Sequence, residues 1–157
     1  MVKTNAMRLL SAAKITFDTK EYEVDEDNLA GEHVAKQIGM PPEQVFKTLV
    51  AKGAGKAIYV FCIPVNKELS LKKAAKIVAE KKIEMLHVKD LLATTGYIRG
   101  GCSPVGMKKK YPTYVDETAL QFDRMSLSAG VRGCQMILNP KELVVFVGAE
   151  TADLTMD

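Results

Sequence analysis

Two extended runs joined by a glycine turn constrain this chain more than any other feature of its sequence. Val45 to Lys52 and Ala57 to Ile63 flank Gly53-Ala54-Gly55-Lys56, the pattern of a β-hairpin. The second arm is nearly continuously apolar, so it needs cover on both faces and belongs in the middle of a sheet. Pro64 ends it.

Around the hairpin, short elements alternate. Thr4 or Asn5 can cap a first helix carrying Ala6, Leu9, Leu10 and Ala13 on one stripe. Ile15 to Val24 reads as extended, and Glu32 to Ile38 as a helix stopped by Gly39 and Pro41-Pro42. Ser70 caps a helix with Leu71, Ala74, Ala75 and Val78 inside and Lys72, Lys73 and Lys76 opposite. Short strands are predicted at Glu84 to His87, Thr113 to Val115, Arg124 to Ser128 and Gln135 to Leu138. Helical turns are predicted at Lys89 to Thr94 and Asp116 to Leu120, and Asn139-Pro140 opens a last helix over Lys141 to Phe146. Helices and strands alternate, yet the hairpin and the late short strands argue against a purely parallel sheet. The expected fold is α/β (α+β): a mixed, curved or barrel-like sheet with helices packed outside.

The 157 residues suit one domain spanning 1–157, with no linker, repeat or low-complexity tract. Apolar residues at 47% and charged residues at 26% describe a globular chain and exclude disorder. No signal-like run opens it and nothing approaches the ~18 apolar residues of a membrane span. A cytoplasmic location with no membrane partner is expected. Three widely spaced cysteines, Cys62, Cys102 and Cys134, imply neither a disulfide framework nor a CxxC pair. His33 and His87 show no metal-ligand spacing, so no metal and no cofactor is expected. There is no GxSxG elbow. A net charge of +3 is compatible with a polyanionic partner without demanding one.

Chemistry concentrates in three places. Lys47 interrupts Val45-Phe46-Lys47-Thr48-Leu49-Val50-Ala51 and shares a strand face with Leu49 and Ala51. Such a lysine either snorkels to water from a strand end or contacts an anion or substrate. Gly96 to Gly106 contains Gly100-Gly101-Cys102-Ser103-Pro104, where adjacent glycines let backbone N–H groups approach a ligand and Pro104 stiffens the turn. It lacks the Lys-Ser/Thr of a P-loop, and it can equally be a tight loop. Cys102 invites a nucleophile reading, but the sequence supplies no partner base. Ser126 to Gly133 is a second glycine-punctuated turn that either lines the same cavity or is a plain β-turn. The lysine groups 72/73/76, 81/82 and 108/109/110 can follow a phosphate backbone or form a solvated face.

Taken together, Val45-Phe46-Lys47-Thr48-Leu49, Glu68-Leu69-Ser70-Leu71-Lys72-Lys73, the Gly100-x-x-x-Pro104 loop within Gly96 to Lys109, and Ser128-Ala129-Gly130-x-Arg132-Gly133 make the chain resemble the YbaK/EbsC family of freestanding aminoacyl-tRNA deacylases. The likeness runs from Thr4 to about Val147. It implies a mixed sheet or barrel core with surrounding helices, the fold of editing domains inserted in bacterial prolyl-tRNA synthetases. It implies trans-editing: hydrolysis of the ester joining a wrong amino acid, mainly cysteine, to the 3′ end of proline tRNA, with prolyl-tRNA synthetase as a partner.

Residue by residue, Lys47 matches the family's essential lysine, expected at the terminal adenosine or its phosphate. Gly100, Gly101, Cys102, Ser103 and Pro104 fall on the substrate-binding loop, with Gly101 carrying the oxyanion role. Tyr22 matches a pocket-lining tyrosine, and Ser128 and Gly130 fall on the second turn. Some relatives carry an acidic residue where this chain has Cys134-Gln135, so a carboxylate role there has no residue to carry it. The scarcity of histidines fits a substrate that brings its own nucleophile, the cysteine thiol. Two other readings use the same residues: deacylation of another misacylated tRNA such as Ala-tRNA(Pro), and a non-catalytic regulatory or tRNA-binding protein.

Overall fold

In the computed structural model, which describes residues 3–157, Thr4 caps the first helix, α1 (Asn5–Ala12), its Oγ1 accepting the Met7 N–H at 3.2 Å. The extended segment that follows is ordered as β1 (Phe17–Glu21), shorter than its apolar pattern. Next comes α2 (Gly31–Ile38), closed by Gly39 in the left-handed region at φ 71°. After a 3-10 turn at Pro42–Gln44 the hairpin forms as expected, with β2 (Phe46–Lys52) antiparallel to β3 (Ile58–Pro64) from Phe46↔Pro64 to Lys52↔Ile58.

Ser70 Oγ accepts the Lys73 N–H at 3.1 Å and starts α3 (Leu71–Ile77). The remaining elements are β4 (Glu84–Met85), α4 (Val88–Thr95), β5 (Thr113–Asp116), a 3-10 turn (Glu117–Gln121), β6 (Met125–Ser128), β7 (Cys134–Leu138), α5 (Pro140–Val147) and β8 (Glu150–Ala152). β8 has no counterpart in the sequence reading, and β4 keeps two of the four residues expected of it.

The strands form two sheets. One is antiparallel in the order β1-β7-β6; the other is mixed, in the order β4-β2-β3-β5-β8, with β3, β5 and β8 parallel. β3 lies at the centre of the larger sheet, as its apolar run requires, and Val60, Phe61, Cys62 and Ile63 are buried. Pro64 ends the strand as its last paired residue, beyond the stretch that β5 covers, where its missing N–H breaks no ladder. The sheets stay open and do not close into the expected barrel. Outside the named strands they meet at one parallel bridge, Val45↔Ser126.

Period-2 alternation divides the core. Phe46 and Cys62 turn toward Met125, Leu127, Met136 and Leu138 of the small sheet, under α1 and α5. Phe61 and Ile63 turn the other way, onto Ala74 and Ala75 of α3 and onto Leu154. A third cluster, Ala35, Ile38, Val45 and Val65, seats α2 beside the bridge between the sheets. Each large side chain so buried contributes roughly 1.5–3 kcal/mol.

Residues 150–157 clamp α3. The Ser70 N–H donates to the Leu154 carbonyl at 2.8 Å, and the Met156 N–H donates to that of Glu68 at 2.9 Å. Lys73 Nζ reaches the Thr155 carbonyl at 2.7 Å and the carboxylates of Asp153 and Asp157, each at 3.0 Å. Among the described residues, no helix is long and apolar enough to cross a membrane.

Candidate active site

β2 is paired by β4 at Ala51 and Lys52, and Val45 just before β2 bridges to Ser126. Between these points, Phe46 to Leu49 have no strand partner on that edge among the described residues. The gap opens a cleft of about 690 Å³ at the seam of the two sheets. Because the cleft meets the strand edge-on, side chains from both faces of β2 reach it, Lys47 and Leu49 from one and Thr48 from the other. Such a volume suits a small-molecule moiety.

Tyr22, Lys47, Gly100, Cys102 and Ser128 all line this cleft. Tyr22 is held by its N–H, which donates to the Gly133 carbonyl at 2.9 Å. Lys47 is half-buried opposite Ile63, and burial lowers its pKa from the usual lysine value, partly opposed by the carboxylates of Glu68 and then Glu32. Lys47 lines the cleft, and its ammonium makes no hydrogen bond or ion pair among the described residues.

The diglycine loop supplies backbone rather than side chains. Gly100 sits at φ 87° beneath Arg132, whose Nε donates to the Arg99 carbonyl at 2.8 Å. The N–H of Gly101 donates to the Ile98 carbonyl at 3.0 Å and closes the turn. A Cβ on Gly101 would lie 3.1 Å from the Val131 carbonyl carbon, so glycine is what lets the two loops touch. The N–H groups of Gly100 and Cys102 make no hydrogen bond among the described residues.

Gly101, Ser103, Pro104 and Gly130 stand behind the cleft wall rather than on it. Ser103 is fully buried, its Oγ accepting the Val105 N–H at 3.2 Å. Pro104 walls a separate cavity of about 240 Å³ with Leu9, Tyr111 and Phe146. Gly130, at φ 100°, packs on the Tyr97 ring, and its N–H donates to Ser128 Oγ at 3.1 Å. Tyr97 in turn donates its hydroxyl to the Val105 carbonyl, which joins both glycine turns into one wall.

Cys102 does not have the character of a nucleophile. Burial pushes its thiol up to about 12, opposed weakly by the Thr95 hydroxyl, so it stays protonated at neutral pH. Cys62 is likewise pushed up to about 12 by burial, and its Sγ lies 3.7 Å from Thr48 Oγ1. Among the described residues, no group of three or more His, Cys, Asp or Glu is placed to hold a metal ion.

The lining also includes Glu32, Thr48, Arg99 and Gln135, none of them among the candidate site residues, although Gln135 falls where some relatives carry an acidic residue. Thr48 adjoins Lys47, and Gln135 is the one polar side chain of the buried run Cys134–Leu138. A carboxamide in an otherwise apolar strand was the available signal.

Comparisons with known proteins give the family and the fold. The aminoacyl-tRNA editing domain matches residues 26–146, which contain the β2–β3 hairpin, the diglycine loop and both late strands of the small sheet. A protein of Enterococcus faecalis, EbsC, named as a candidate Cys-tRNA(Pro)/Cys-tRNA(Cys) deacylase, is 48% identical over 153 residues, covering 98% of this chain and 93% of that protein. A solved structure described as a candidate trans-editing enzyme for prolyl tRNA synthetase superposes at TM-score 0.83 with 25% identity, over 100% of both chains. A scaffold protein used for computational epitope grafting superposes at TM-score 0.83 with 27% identity, over 99% of each. With this coverage by both domain and relative, the chain belongs to the aminoacyl-tRNA editing domain family.

Proposed function

We propose that this protein is an aminoacyl-tRNA deacylase that clears mischarged Cys-tRNA(Pro) in trans. The observation that carries the reading is the half-buried Lys47 ammonium in the same cleft as the diglycine loop. A cation without a protein partner beside unpaired backbone donors is a cradle for an anionic, acyl-bearing end. The substrate named for EbsC supplies such an end.

In this reading Lys47 holds the terminal adenosine or its phosphate and brings the ester against the loop. The substrate thiol attacks its own ester carbonyl, forming a carbon–sulfur bond. The tetrahedral intermediate collapses with loss of the ribose oxygen, which takes up the thiol's proton, and a cyclic thioester leaves to be hydrolysed by water. Each N–H aimed at the oxyanion would contribute roughly 2.7–4 kcal/mol. The unpaired N–H groups of Gly100 and Cys102 fill that role. Gly101 supports it through its absent Cβ, its own N–H being bonded to Ile98.

Editing in trans answers a limit of synthetase pockets, where one methylene discriminates by only ~1–3 kcal/mol. Prolyl-tRNA synthetase is the partner proposed here, because it produces the mischarged tRNA. The test is deacylation of Cys-tRNA(Pro), Ala-tRNA(Pro) and correctly charged Pro-tRNA(Pro) by wild type and Lys47→Ala. Wild type is expected to clear the cysteinyl ester, spare the prolyl ester and lose activity in the variant. Cleavage of alanine but not cysteine would overturn the thiol-assisted route.

A further inference from the structure

Gln135 stands opposite Ser128 on β6 and Lys20 on β1, on the face of the small sheet turned away from the Met136 and Leu138 core. Lys20 is already engaged, its Nζ donating to the Ile38 carbonyl at 2.9 Å. Gln135 is only 6% exposed, and it lines the cleft.

Ser126 orients the amide. The Ser126 side chain is fully buried, and its Oγ donates to Gln135 Oε1 at 2.9 Å, the hydroxyl's one hydrogen bond among the described residues. With the amide turned over, the buried Ser126 proton would have no acceptor, an unfavourable state for a buried hydroxyl. Gln135 Nε2 makes no hydrogen bond among the described residues, and no buried side-chain nitrogen or oxygen there is left unpaired. Nε2 therefore reaches the open cleft. What the cleft sees of Gln135 is a neutral donor with its acceptor turned inward.

We infer that Gln135 is a specificity-determining residue that donates a hydrogen bond to an oxygen of the acyl–ribose linkage, either the acyl carbonyl or the adjacent ribose oxygen. This rests on the deacylase reading, which brings such oxygens into the cleft. An ammonium group finds nothing to accept it at Gln135. Glu32, on α2, is the one carboxylate of the lining among the described residues. The free α-amine of the aminoacyl group is thereby turned toward α2 and its ester oxygens toward β7. Substrates are read end for end.

Gln135→Glu is the sharpest probe, since it keeps an acceptor for Ser126 and exchanges only the group facing the cleft. The ligand is cysteine joined by an amide to 3′-amino-3′-deoxyadenosine, which cannot be cleaved as an ester, together with its 2′-deoxy form. Gln135→Glu is expected to bind it roughly 10–100-fold more weakly at pH 8, with recovery as the pH falls and the carboxyl regains a donor proton. Gln135→Met, which introduces no charge, should lose binding with no recovery at low pH. Ser126→Ala should raise KM for deacylation about 3–10-fold with kcat little changed, whereas a purely structural serine would lower the melting temperature and leave KM alone.

If the Gln135→Glu deficit persists with the 2′-deoxy ligand, the acceptor is the carbonyl; if it vanishes, the ribose oxygen. Either supports the donor role. Cleavage of Cys-tRNA(Pro) by wild type and by Gln135→Glu at equal rates across pH removes the donor role and leaves the deacylase reading standing. Gln135-dependent binding without deacylation of any aminoacyl-tRNA does the reverse, and a wild type that neither binds nor cleaves removes both.

Discussion

Lys47 is a lysine whose burial outweighs two nearby carboxylates, and this has a consequence for stability as well as for binding. With its folded pKa below the usual 10.5, the unfolded chain binds more protons wherever the two values differ. The penalty for burying the ammonium is therefore present in full at low pH and is relieved as the pH rises from the lowered folded value to 10.5. Lys47→Met is expected to abolish deacylation yet melt at or above the wild-type temperature at pH 7, with the difference shrinking toward pH 10.5. Calorimetry at several pH values decides this, and a variant clearly less stable at pH 7 would contradict the assignment. Cys102 makes the opposite case: a thiol pushed up to about 12 is not a thiolate at neutral pH. Cys102→Ser should keep deacylation within roughly threefold, because serine removes the thiol but not the loop N–H donors. Pre-steady-state kinetics with substrate in excess should show no burst of tRNA release in either protein.

Among the elements, the hairpin was legible because its own residues decide it: a glycine turn and an uninterrupted apolar arm need no distant partner to be recognised. β8 was not, because Glu150-Thr151-Ala152 is three residues long with only the small Ala152 apolar, too little for a pattern. It becomes a strand through pairing with Tyr114 to Asp116, a tertiary event. The same limit applies to the loops. Glycine and proline at 100 to 104 mark a special backbone, but which side of it meets a ligand depends on how Val131 and Arg132 pack behind it. That is why Lys47, Gly100 and Cys102 open on the cleft while Ser103 and Pro104 support it. Gly101→Ala tests the packing. Its Cβ meets backbone rather than a flexible side-chain end, so the neighbouring loop must give by a few tenths of an ångström. We expect kcat for Cys-tRNA(Pro) to fall by roughly 10²–10³-fold, the cost of misplacing an oxyanion donor. A variant with unchanged kcat would show that the contact between the loops has no part in catalysis.

At the scale of the whole molecule, a contact between surface lysines and RNA is open to a test by salt. The net charge is +3, and lysines at 72, 76, 81, 82, 108 and 109 are candidates for the acceptor stem. kcat/KM for Cys-tRNA(Pro) should fall as salt rises, on a log–log slope of roughly −0.7 to −0.9 for each phosphate contacted. Cysteinyl-adenosine, which lacks the stem, should show almost no slope. Equal slopes for the two substrates would rule out a stem contact.

The clamp made by residues 150–157 bears on when the site comes into being. Met156 bonds to Glu68, and Glu68 is the leading carboxylate acting on Lys47. On a translating ribosome these closing residues emerge after every element they fasten. A nascent chain can already hold the hairpin and the diglycine loop while the Glu68 segment still lacks its tether. The electrostatic setting of the lysine is thus completed only once residues 154–156 have been made and Leu154 takes its place beneath α3.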